Sequence, residues 1–223
     1  MEHLSPRIVF WLGPIPVTNT VTMTWLVIAV LTIFALIVSR SLQLRPRGVQ
    51  LIAEMVVGFL AGSIEEGAGP RSKRYLTWIG SFFLFILISD WLAVIPRLRP
   101  ATGDLSTTVA LAVMAIISVW IVGIRESGPA AFAHHFLEPS PIMLPINIME
   151  QLTRPLSLSI RLFGNIWGEE VLATVVLMIV PFLAPVPIMA LDLFTGFMQA
   201  YIFTMLLISY IAGVLPHEDK GGH

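Results

Sequence analysis

The sequence predicts an all-α membrane protein with about five transmembrane helices and one interfacial amphipathic helix, the last two helices forming a long tilted hairpin. Three observations carry that expectation. Of 223 residues, 56% are hydrophobic and only 12% charged, and the mean hydropathy is +0.85, whereas soluble domains carry about 25% charged residues. So much apolar surface in so short a chain is hard to bury without lipid. The apolar residues also fall into runs near the roughly 20 residues that cross a bilayer core, with most charges in the stretches between. We read residues 1–223 as a single membrane domain, with spans at about 21–38, 75–95, 107–124, 146–180 and 188–215 and an interfacial helix at about 48–64.

Each element has its own reason. The first span ends at Ser39 and Arg40, and the basic residues Arg45 and Arg47 follow. Leu51, Ile52, Met55, Val56, Phe59 and Leu60 then recur at helical spacing. Glu54, Gly58 and Gly62 interrupt that run, so it is expected at the interface. A turn-rich patch with Glu65, Glu66, Gly67 and Pro70 leads to Arg71, Lys73 and Arg74. Pro96 stops the second span, and Asp104 and Arg125 bracket the third. Five Gly and Pro residues, from Gly128 to Pro145, keep the next loop from forming a helix until its end. The last two spans are separated by Pro181, Pro185 and Pro187, and the fourth is longer than a bilayer needs, so either it tilts strongly or its first turns lie outside the core. No internal repeat or low-complexity segment is evident.

Charge and composition exclude several classes. Net charge is −1 and there are no cysteines, so neither a nucleic-acid field nor thiolate chemistry is expected. The first 17 residues lack the pattern of a secretory signal, and a bacterial plasma membrane is the simplest home. Of the loop and tail Lys and Arg residues, eight fall on one side and three (Arg7, Arg97, Arg99) on the other. The positive-inside rule then places the N-terminus outside and the C-terminus in the cytoplasm.

The chemistry is expected in the last two spans. Arg161 lies about halfway along the fourth, where a cation costs roughly 2.5–3.5 kcal/mol to insert. It therefore faces a functional cavity or pairs with a carboxylate on a neighbouring helix. At about 100° per residue, Glu150, Arg154, Ser157, Asn165 and Gly168 lie within about 40° of it. Gly164 and Gly168 leave room for another helix on that side. Glu170 points about 180° away. In the fifth span Asp192 and Gln199 share a face, with Thr195 and Gly196 between them. Carboxylates on adjacent helices can relay protons, or form one protonated structural pair.

Five motifs carry a resemblance to a known family. They are Arg161-Leu162-Phe163-Gly164-Asn165, continuing to Glu169-Glu170; Arg154-Pro155-Leu156-Ser157; Gln199-Ala200-Tyr201-Ile202-Phe203; Ser39-Arg40 to Arg45-Pro46; and Asp104-Leu105-Ser106-Thr107-Thr108. They cover most of the chain and fall along it in the family's order, so the chain resembles subunit a of the F-type ATP synthases. The resemblance implies a stator subunit, non-catalytic for ATP chemistry itself, that conducts protons through two half-channels against the c-ring and couples their flow to rotation. It makes Arg161 the gate facing the ring carboxylates and places Glu170, Asp192, Gln199 and Asn165 along the outer path. Asp90, Asp104 and Glu169 are further candidates for that path. Asp192 departs from the His, and Asp90 from the Asn, that many members carry. The implied partners are the c-ring, the peripheral-stalk b subunits, the lipid bilayer and protons, with no nucleic acid, cofactor or metal.

Two rival classes remain on residues alone. A secondary transporter would also hold an Arg near midplane, but it should show paired repeats or broken helices. An intramembrane metalloprotease would need His ligands in its spans, and all five histidines fall in loops or tails.

Overall fold

The computed structural model describes residues 8–12, 15–40, 48–95, 100–129, 132, 142, 144–180 and 184–215. Helices dominate: α1 (Asn19–Arg40), α2 (Val49–Ala68), α3 (Leu76–Ala93), α4 (Leu105–Ser127), α5 (Leu144–Ile179) and α6 (Pro185–Val214). All but α2 belong to stretches long and apolar enough to cross a membrane. This is the all-α membrane architecture that composition predicts. One element is an addition to it: β1 (Ile8–Leu12) and β2 (Ile15–Thr18) pair antiparallel ahead of α1.

The core is shared unevenly. It joins Leu60 and Ile64 of α2, Phe82, Phe83 and Ile86 of α3, Ala112, Ala115 and Val119 of α4, Leu158 and Leu162 of α5, and Phe203, Leu207 and Ile211 of α6. α3 packs chiefly on α6, where the rings of Phe82 and Phe203 stack at 5.9 Å, whereas α5 packs chiefly on α4. With 36 and 30 residues, α5 and α6 reach roughly 54 and 45 Å, longer than the ~30 Å core needs.

Helix ends follow local chemistry. Asp104 caps α4 by accepting from the Ser106 N–H at 3.1 Å, and Thr20 of α1 donates to its other oxygen at 3.3 Å. Gly69 and Gly128, at φ 81° and 82°, end α2 and α4 in a conformation few other residues adopt. The patch around Glu65, Glu66 and Gly67, expected to be a turn, is helical in the structure. A Cβ added at Gly67 would lie 2.6 Å from Ile208 Cγ2, so the glycine lets α2 close onto α6, and that packing outweighs its poor helix propensity.

Candidate functional site

Pro155 sits inside α5, where it removes one backbone hydrogen bond, yet the helix continues through it to Ile179. The two arginines of this helix differ sharply. Arg154 is held: its guanidinium pairs with Glu150 at 2.5 Å and lies 4.9 Å from the Tyr210 ring centroid of α6. Arg161 is exposed on the flank of α5 and makes no ion pair or hydrogen bond among the described residues. The Arg154–Glu150 pair lies within α5, and the pair with a neighbouring helix's carboxylate weighed for Arg161 is not found among the described residues.

The surroundings of Arg161 are open. A Cβ added at Gly164 or Gly168 would meet nothing within 4 Å. Ser157 is exposed on the same side. The side of α5 buried in this chain carries Leu158, Ser159, Leu162 and Ile166 instead, and Ser159 approaches Thr108 of α4 at 3.4 Å. Room for another helix beside the two glycines therefore exists, and none of the described helices fills it.

Three further carboxylates stand on the spanning helices: Asp90 on α3, Glu169 on α5 and Asp192 on α6. Asn165 donates from Nδ2 to Glu169 Oε1 at 3.0 Å. That glutamate is half-buried, and on α6 Thr195 donates its hydroxyl to the Leu191 carbonyl at 2.8 Å. Asp90 belongs to α3, the helix that packs chiefly on α6. Its carboxyl is buried, and Thr102 donates from Oγ1 to Oδ1 at 2.5 Å. The Thr102 and Ser89 hydroxyls are 3.2 Å apart. Asp90 Oδ2 has no hydrogen-bond partner among the described residues.

Small size makes this junction possible. A Cβ added at Gly196 would lie 2.9 Å from Asp90 Cβ, so only glycine lets α6 come so close to α3. Trp91 fastens the same crossing by donating from Nε1 to the Leu193 carbonyl at 3.0 Å. Gln199, one turn further along α6, is buried.

Other residues named from sequence lie elsewhere. Glu170 is exposed on the opposite side of α5 from Arg161, and Asp104 is occupied as the cap described above. All five histidines, with Arg45, Arg47, Arg97 and Arg99, lie outside the described residues. Ser89 and Thr102 were missed: 13 positions apart, they meet only because the chain turns back after α3, and no local pattern marks them.

Comparison with known proteins agrees with the five motifs. The family described as ATP synthase A chain matches residues 21–212. The ATP synthase subunit a of Moorella thermoacetica is 44% identical over 212 residues, covering 95% of this chain and 97% of that protein. The ATP synthase subunit a 1 of Hahella chejuensis is 41% identical, covering 98% and 93%. The ATP synthase subunit a 2 of Pelobacter propionicus is 39% identical, covering 95% and 92%. With near-complete coverage, five long apolar helices and the motifs in order, the chain belongs to the ATP synthase A chain family, the proton-translocating subunit of the enzyme's membrane sector.

Proposed function

We propose that this chain forms two half-channels against a ring of c subunits, with Arg161 as the gate between them. The observation that carries the reading is the contrast on α5. Arg161 is exposed and unpaired among the described residues, beside two glycines that face open space, whereas Arg154 is fully engaged. A cation in a membrane segment needs a counter-charge, and this chain leaves that place to a partner. A carboxylate on a rotating ring would fit it.

The gate suits arginine because its guanidinium stays charged at any relevant pH and cannot itself pass a proton across. A ring carboxyl reaching Arg161 is driven to ionise and releases its proton to the cytoplasmic side. It is reprotonated from the outer side through the polar groups of α5 and α6: Asn165, the Glu169–Glu170 pair, Asp192 and Gln199. Each proton contributes about 2.3 kcal/mol per 100 mV of membrane potential. Peripheral-stalk b subunits would hold the chain still against the ring. The Lys and Arg distribution supports an N-terminus outside and a C-terminus in the cytoplasm, and the bacterial relatives support a plasma membrane.

The test is Arg161→Ala in the whole complex, assayed by ATP-driven acidification of inverted vesicles, with assembly followed by co-purification of the ring. Pumping is expected to fall by at least about 100-fold in an assembled complex, a loss of about 2.7 kcal/mol or more in barrier terms. Normal pumping would leave Arg161 without the role of gate.

A further inference from the structure

Resting on the reading of Arg161 as the gate, we propose that Glu150 and Tyr210 are positioning residues. They hold the guanidinium of Arg154 aside, leaving Arg161 alone of the two open to a ring carboxylate.

The need for such a hold follows from spacing. Arg154 and Arg161 stand seven residues apart on α5, so they leave the helix within roughly 20° of each other and about 10.5 Å apart along it. Both keep their charge at any relevant pH. An unheld arginine at 154 would reach toward the stripe that a ring carboxylate must pass. Two free cations there would offer the carboxylate two stopping points, and a gate works with one.

Arg154 is gripped from two helices. Glu150, one turn earlier on α5, accepts from its Nη2 at 2.5 Å. The acid stands nearer the helix N-terminus, which is the more favourable order for such a pair. From α6, the Tyr210 ring meets the guanidinium carbon at 4.9 Å from its centroid. The Arg154 side chain is 21% exposed and that of Glu150 57%. An ion pair so open to solvent holds little by itself, and the aromatic ring supplies the second point of fixation. Arg161 has neither contact among the described residues.

The surrounding packing sets the ring in place. Tyr210 lies eleven residues beyond Gln199 on α6, within about 20° of it around the helix, so this polar face ends in an aromatic ring. Its neighbours Leu207, Ile208 and Ile211 are buried in the core. On the other flank, Trp120 of α4 donates from Nε1 to Gln151 Oε1 at 3.3 Å. At this level α5 is therefore tied to both neighbours, whereas beside Arg161 the two glycines face open space. A role limited to pinning α5 onto α6 makes a different prediction, and the difference is measurable.

The experiment follows ATP-driven acidification of inverted vesicles carrying the whole complex, with ring co-purification reporting assembly. Glu150→Gln and Tyr210→Leu each release Arg154 and should slow pumping about five-fold or more, within the range that coupled neighbours show. Arg154→Gln removes the charge that needs holding and should keep at least about half the original rate. Adding Arg154→Gln to either slow variant should bring its rate back to that level, an interaction that only the double variant reveals. Tyr210→Phe keeps the aromatic face and should pump normally. Should Arg154→Gln be as slow as the other two and restore neither, the contacts only pin the helices and the proposal falls. Normal pumping in Glu150→Gln and Tyr210→Leu overturns it as well. Where Tyr210→Leu prevents ring assembly, Glu150→Gln with and without Arg154→Gln decides by the same criteria. Arg161→Ala keeps the two levels apart. Normal pumping there removes the gate reading itself, whereas lost pumping there, with Glu150→Gln unaffected, removes only the role given to Glu150 and Tyr210.

Discussion

α5 and α6 are both long and apolar, and both carry polar residues, yet the fold treats them in opposite ways. In α6, 44% of the spanning window is buried within the chain; in α5 only 11% is. α6 is the spine of the bundle, with Phe203, Leu207, Ile208 and Ile211 enclosed by α2, α3 and α4. α5 touches the rest through one narrow stripe, Leu158, Ser159, Leu162 and Ile166. A helix so little covered by its own chain presents its remaining surface to lipid or to another subunit. Arg161 stands on that surface, while Asp90 and Gln199 are enclosed beside the spine. The molecule therefore separates an enclosed half, which holds Asp90 and Gln199, from an outward half, which its own chain leaves largely uncovered.

Five substitutions, in three tests, sharpen this contrast, in order of expected effect. The first compares two truncations. Phe203→Ala should destabilise the subunit by about 3–5 kcal/mol, because Phe203 is fully enclosed and stacked on Phe82. Ile160→Ala, at a side chain 57% exposed on α5, should change stability by about 0.5 kcal/mol or less. Thermal midpoints of the detergent-purified complex would compare them, and equal losses would erase the distinction between the two helices.

The second pair concerns glycines. Gly196→Ala must push α6 away from Asp90, a strain of about 1–3 kcal/mol. Reduced subunit yield and slowed pumping should accompany it. Gly164→Ala meets nothing in this chain, so the subunit itself should fold normally, and any defect should appear only once the ring is present. A Gly164→Ala chain that fails to insert or fold without the ring would contradict the open face.

The smallest effect is expected at Asp104. Replacing it by Ala removes the α4 cap and the tie to Thr20, at a cost of about 1 kcal/mol. Pumping should stay close to normal, and a large loss of pumping with stability intact would return Asp104 to the proton path.

Much of the architecture was legible because its cause is one-dimensional. Long apolar runs, few charges and proline breaks are properties of the chain, and the bilayer permits them few alternatives. The Arg161 motif was legible for the same reason, as a costly residue placed in an apolar run. Two local expectations went differently. The N-terminal hairpin has no strong pattern of alternation, and the Glu65–Gly67 patch looks like a turn until the α2–α6 contact is seen.

What the sequence alone determined is the class of molecule, the set of long apolar helices, the family and the short list of ionisable residues worth attention. What only the tertiary structure decided is the company each residue keeps. It engaged Arg154 and left Arg161 open, assigned Asp104 to a helix end, joined Asp90 to Thr102 and Ser89, and tied Glu169 to Asn165. The physical reason is that hydropathy is summed along the chain, whereas proton transfer and ion pairing act over a few ångströms across helices, and those distances are set by how bundles close around glycines and aromatic rings.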